Sequence, residues 1–121
     1  MKIINENIHW LLRLTLSTTF LIHGFEKIRD CSGLITMGLP KLIAYFVGPF
    51  EFFGAIFILI GGLVNNSEIF ATITRIGATL ISIIMLGAIF FVHIGEGWKG
   101  IEYQVLILSV CILFIFKGND A

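Results

Sequence analysis

Seven side chains in this apolar sequence could carry proton or charge chemistry: Arg13, His23, Lys27, Glu51, Arg75, His93 and Glu102. Glu51 is the most exacting of them. It sits in FVGPFEFFGAIFILIGG, two residues after Pro49, among phenylalanine, isoleucine and glycine. A lone ionised carboxylate is costly to bury. A side chain this short does not snorkel from mid-helix, so Glu51 must be neutral, paired or lining a wet cavity. In a cavity it could carry a proton, with His93 or Glu102 relaying protons to one face. The arginines could neutralise an anion. Each group also has a plainer reading. Arg13 and Arg75 could snorkel to headgroups, and Lys27 could anchor a helix end. His93 and Glu102 could be interfacial residues, and the glycines packing notches.

The elements that must hold these groups are apolar helices. Of 121 residues 57% are hydrophobic and 13% charged, about half the charge of a soluble domain. Mean hydropathy is +0.98. The zero net charge and the lack of a basic run argue against nucleic acid. Two cysteines, Cys31 and Cys111, without a CxxC support neither a disulfide framework nor a zinc site, so no metal is expected. Spanning a bilayer takes about 20 apolar residues. Four segments approach that, at about 8–28, 42–64, 69–93 and 101–116. No small-residue cleavage site follows the first, which reads as a retained helix. Short connections force antiparallel neighbours. The expectation is one domain over 1–121, an all-α, up-down four-transmembrane-helix bundle. Lysine and arginine divide evenly between its two ends. We call the N-terminal end side A and the other side B.

Helical phase gives each segment a polar or small-residue face. Arg13, Ser17, Gly24 and Lys27 share one stripe, with His23 beside it. Glu51, Ala55, Ile58 and Gly62 form the second, flanked by Gly54 and Gly61. Arg75, Thr79, Ser82 and His93 form the third. Glu102 and Ser109 share the fourth, opposite Cys111. If all face inward, Arg13 and Arg75 lie near side A, and His23, Lys27, His93 and Glu102 near side B. Glu51 lies between, with Arg13 or Arg75 as the expected ion-pair partner. Pro49 either kinks a continuous second helix, freeing the Tyr45 carbonyl, or starts a shorter one.

These fragments, RLTLSTTFLIHGFEKI, EFFGAIFILIGG, RIGATLISIIMLGAIFFVH and GWKGIEYQVLIL, occur in an order and spacing that resembles the DoxX family of small four-helix membrane proteins. The resemblance runs from about residue 10 to 116. It places the family's polar positions on Arg13, Gly24, Lys27, Glu51, Gly54, Arg75, His93 and Glu102. Some relatives are subunits of a thiosulfate:quinone oxidoreductase, and others are linked to membrane redox complexes. The resemblance therefore implies a component of a membrane oxidoreductase at the quinone pool, in a bacterial inner membrane. A bound quinone and a partner redox subunit, or a homo-oligomer, would follow. Glu51 and His93 would then be catalytic, and Arg13, His23, Lys27, Arg75 and Glu102 would bind ligand or build a polar core. Two alternatives stay open: a scaffold, assembly factor or small-solute carrier, and, less favoured, a haem held by His23 and His93.

Overall fold

The computed structural model describes residues 2–30, 32–36, 40–64, 66–93, 95 and 97–120, with the side chains of 2, 3, 5, 34, 92 and 93 outside that description. Cys31 and residues 37–39 of the first connection also lie outside it. The chain runs as α1 (Lys2–Asn7), α2 (His9–Arg29), α3 (Ser32–Thr36), α4 (Lys41–Gly61), α5 (Glu68–Ala88) and α6 (Trp98–Lys117). A π-turn, Ile89–His93, extends α5, and a 3₁₀ turn, Gly118–Asp120, follows α6. Among the described residues there is no strand.

Local chemistry explains where these helices start and stop. Asp30 ends α2 in extended conformation, and its Oδ1 accepts from the Ser32 N–H at 3.0 Å. That bond holds the Asp30 carboxyl below its ordinary pKa. Pro40 precedes α4 and its carbonyl accepts from the Ala44 N–H. The Ser67 side chain caps α5 by accepting from the Phe70 N–H, with Glu68 in the first turn suiting the positive end of the helix dipole. Gly118 closes α6 at a φ of +56°, a conformation that glycine adopts without strain. Pro49 lies inside α4, so the helix is continuous through it and does not begin there. The proline ring removes the amide that would have served the Tyr45 carbonyl.

The four long helices form an antiparallel bundle in which α2 packs on α4, α4 on α5 and α5 on α6. Glycines set the closest approaches. A Cβ on Gly24 would stand 2.7 Å from the Phe52 N and 2.9 Å from the Gly48 O, so α2 and α4 meet backbone to backbone. The same holds for Gly54 and Gly77, where α4 crosses α5. Helices in lipid associate through such small-residue contacts because hydrocarbon provides no hydrophobic drive between them. Around the crossings a core of Leu16, Phe20, Ala55, Ile58, Ala78, Ile81, Cys111 and Phe114 is buried. The outer surface is apolar as well: Leu11, Leu42, Ile69, Leu106 and Phe116 are all exposed.

Residues 41–61, 68–91 and 98–120 make three helices long and apolar enough to cross a membrane. With 21 residues α2 matches them in length, but it carries Arg13, Glu26, Lys27 and Arg29. The three apolar helices and the apolar exterior point to a membrane protein, and a helical bundle satisfies its backbone polar groups internally as a bilayer requires.

Candidate functional site

Side chains on a helix tilt towards its N-terminus. On α2 this direction is side A, so Arg13 leans outward from the bundle centre and Lys27 leans into it. On α4 it is side B, which brings Glu51 towards Lys27. The two meet, with Lys27 Nζ donating to Glu51 Oε1 at 2.7 Å. That distance is typical of a charge-assisted bond. The glutamate is 1% exposed and the lysine side chain 29%. Glu51 therefore pairs with neither Arg13 nor Arg75, the two partners its position in sequence suggested. Both arginines lean to side A, away from it.

The second carboxylate oxygen, Glu51 Oε2, is buried and has no hydrogen-bond partner. Glu51 is one of the residues lining a cavity of about 610 Å³ towards side B, enclosed by α2, α4, α5 and α6. Small-ligand sites occupy roughly 300–1,000 Å³ and combine apolar walls with a few polar groups. Here the walls include Phe20, Phe46, Val47, Phe50, Ile84 and Met85. The polar groups on it are His23, Lys27, Glu51, Tyr103 and Gln104. Gln104 Oε1 is a second buried acceptor without a partner. Phe46, Phe91, Ile83 and Tyr103 line the cavity and are at least half exposed, so it reaches the lipid-facing surface.

Arg13 belongs to a different assembly at side A. It is fully buried. Its Nε donates to His9 Nδ1 at 2.8 Å, and its Nη1 to the Ile58 O at 2.7 Å and to Thr74 Oγ1 at 3.0 Å. Nη2 donates to Asn119 Oδ1 at 2.8 Å. The guanidinium also lies 4.9 Å from the Phe114 ring centroid. Asn119 completes the arrangement. Its Oδ1 accepts from Thr74 as well, and its Nδ2 donates to the Gly61 O and the Val64 O. The physical reason lies at the end of α4. The Gly62 N–H bonds back to Leu59 instead of Ile58, leaving the Ile58 carbonyl without its usual donor. Arg13 fills that vacancy and sets its charge at the negative end of the α4 dipole. A Cβ on Gly62 would lie 2.8 Å from the Arg13 side chain, so glycine makes the room.

Removing Asn119 is expected to loosen this end. Asn119→Ala leaves the part-buried Gly61 carbonyl and the exposed Val64 carbonyl unserved and takes an acceptor from the buried Arg13, a loss of about 1–3 kcal/mol for the buried groups. Thermal unfolding in lipid nanodiscs reads it. A midpoint equal to that of the wild type would show that water serves these carbonyls equally well.

The remaining candidates separate. Arg75 is half-buried at side A, where Nε donates to the Ile115 O at 3.1 Å. It borders a smaller polar cavity of about 260 Å³ with Glu68, Lys117 and Asp120. Glu102 and Ser109 lie on the exposed face of α6 while Cys111 is buried, so the polar stripe of α6 faces outward and the cysteine side inward. On α5 the inward face is Thr74, Gly77, Ala78, Ile81, Ser82 and Met85, and Thr79 is exposed. The His93 side chain lies outside the described residues, so neither its relay role nor a His23–His93 haem receives a geometry. Among the described residues no three His, Cys, Asp or Glu side chains cluster closely enough to hold a metal ion.

Sequence reasoning passed over His9, Thr74, Gln104 and Asn119. His9 and Arg13 are four residues apart, one turn of the same helix face. Thr74 begins the small-residue face of α5. Asn119 follows a glycine that ends the last helix on side A, where Arg13 also lies.

Fold and site together define a small helical membrane protein with a half-buried ion pair on the wall of a lipid-accessible cavity. The DoxX family model matches residues 8–94, and the chain belongs to the DoxX family. It is similar to a protein of Bacillus subtilis (strain 168) named "Putative oxidoreductase CatD", with 26% identity over 127 aligned positions that cover 90% of this chain and 87% of that protein. No solved structure matches the chain.

Proposed function

We propose that this protein is the membrane-embedded component of an oxidoreductase acting at the quinone pool of a bacterial inner membrane, with the side-B cavity as its ligand site. The observation that carries this reading is Glu51, which lines an apolar cavity of ligand size and has a buried oxygen without a partner. The relative named as an oxidoreductase supports the reaction class. The cavity borders the lipid-facing surface, and a hydrophobic quinone is dissolved on that side.

A quinone bound there would supply two-electron, two-proton chemistry. The residues of this chain would do the rest. Phenylalanines of α2 and α4 would exclude water from the ring. Lys27 would hold Glu51 Oε1 and so aim Oε2 at the cavity. Glu51 would hold or release a proton at Oε2, and His23, exposed on the cavity rim, would exchange it with side B. We place the other redox centre on a partner subunit. The hydrogen bonds of Arg13 go to the protein itself, so we assign it to holding the helices in register instead of to substrate.

A short-tailed azidoquinone tests the site. In nanodiscs it is expected to photolabel peptides within residues 43–51 or 83–104. Gly87 faces open space beside the cavity, so Gly87→Phe fills it and should cut that labelling about tenfold, the scale of a displaced ligand. Labelling elsewhere, or labelling that Gly87→Phe leaves intact, would overturn the reading in favour of a scaffold role.

A further inference from the structure

The hydrogen-bonding demand of the cavity is lopsided. Two of its lining residues, Glu51 and Gln104, each carry a buried oxygen without a partner, and both oxygens are acceptors. Lys27 Nζ lies 2.7 Å from Oε1, an ammonium there favours the ionised carboxylate, and an ionised carboxylate only accepts. Lys27, Tyr103 and His23 are partly or wholly exposed, and the Gln104 amide carries its own NH₂ beside its oxygen, so Glu51 is the wall group that can only accept. What the cavity lacks is a donor brought in by its occupant. The aromatic walls, Phe20, Phe46, Phe50, Phe91 and Tyr103, suit a flat ring.

We infer that the cavity selects the hydroxyl-bearing, reduced form of an aromatic ligand over the carbonyl-bearing, oxidised form, with Glu51 Oε2 accepting the hydroxyl hydrogen bond. This rests on the quinone-pool reading and adds to it which redox form the resting protein holds. A quinol donates through its hydroxyls, whereas a quinone carries only acceptors and would set its carbonyl lone pairs against those of Glu51. The same geometry gives Glu51→Gln a distinctive effect. The Lys27 ammonium needs an acceptor, so it takes the amide oxygen and leaves the NH₂ facing the cavity. The acceptor becomes a donor and the preference reverses.

Two ligand pairs test this on the full chain in lipid nanodiscs. One is a short-tailed benzoquinol and its quinone, each under a fixed redox poise. The other is 4-heptylphenol and its methyl ether, which are redox-inert and differ in the hydroxyl donor. The wild type should bind the quinol and the phenol about tenfold more tightly than their partners, as expected for one hydrogen bond to a charged acceptor. Glu51→Gln should bind the quinone at least as tightly as the quinol. If both forms bind the wild type equally, or the quinone binds better, the inference falls and the quinone site stands. If neither form binds, the site reading falls with it. The phenol and ether comparison needs only the wild type, so a Glu51→Gln chain that does not fold leaves the test in force.

Discussion

Arg13→Leu should cost the bundle about 2–6 kcal/mol, from about 1–3 kcal/mol for each of two buried acceptors left without a donor. The substitution leaves two acceptors without their donor, the Ile58 carbonyl and His9 Nδ1, while Thr74 and Asn119 keep the bond between them. It also removes the positive charge from the end of α4. Arg13→Lys separates these two contributions. Lysine keeps the charge but offers one compact ammonium in place of a planar fork that reaches three helices and the C-terminal turn. We expect it to recover less than half of the loss. Thermal unfolding in nanodiscs and the yield of membrane-inserted protein both report the effect. A leucine variant as stable as the wild type would mean that Arg13 is only a snorkelling residue. A lysine variant as stable as the wild type would mean that charge alone matters.

Gly77→Ala is the second large effect. The added methyl would lie 2.7 Å from the Gly54 O and 3.0 Å from the Ile58 N, both backbone atoms that no rotamer change can move. The helices α4 and α5 must separate, and overpacking of this kind costs about 1–3 kcal/mol. Because Ile58 also receives Arg13, the displacement should spread to the side-A network. Gly87→Ala on the same helix is the control. Nothing lies within 4 Å of its added Cβ, and alanine in place of glycine stabilises a helix by up to about 1 kcal/mol. The pair should therefore move in opposite directions in a thermal unfolding series. Equal effects would show that helix propensity, and not the crossing, decides.

How far the sequence could be read follows from what each signal encodes. Hydrophobic run length depends on composition alone, so the four long helices and their antiparallel order were legible before any coordinates. Phase was legible on α2 and α4, where Arg13, Ser17 and Gly24, then Glu51, Ala55 and Ile58, are all buried. It misled on α6. There a polar stripe of Glu102 and Ser109 outranked the side bearing Ile107, Cys111 and Phe114, which is the one that packs. At a helix end near the headgroups a polar stripe and an inward stripe look alike, because water is within reach of both.

By itself, the sequence determined a four-helix membrane bundle, its family, and a carboxylate too deep to stand alone. Tertiary structure decided which cation answers that carboxylate. The sequence pattern pointed to Arg13 or Arg75, and the structure gives Lys27 instead. Only the antiparallel packing of α2 on α4 turns the tilt of Lys27 and Glu51 towards one another and that of Arg13 away. Tertiary structure also brought Asn119, at the far end of the chain, onto Arg13 and the open end of α4. That contact depends on where two helix ends finish in space, which no local pattern of residues records.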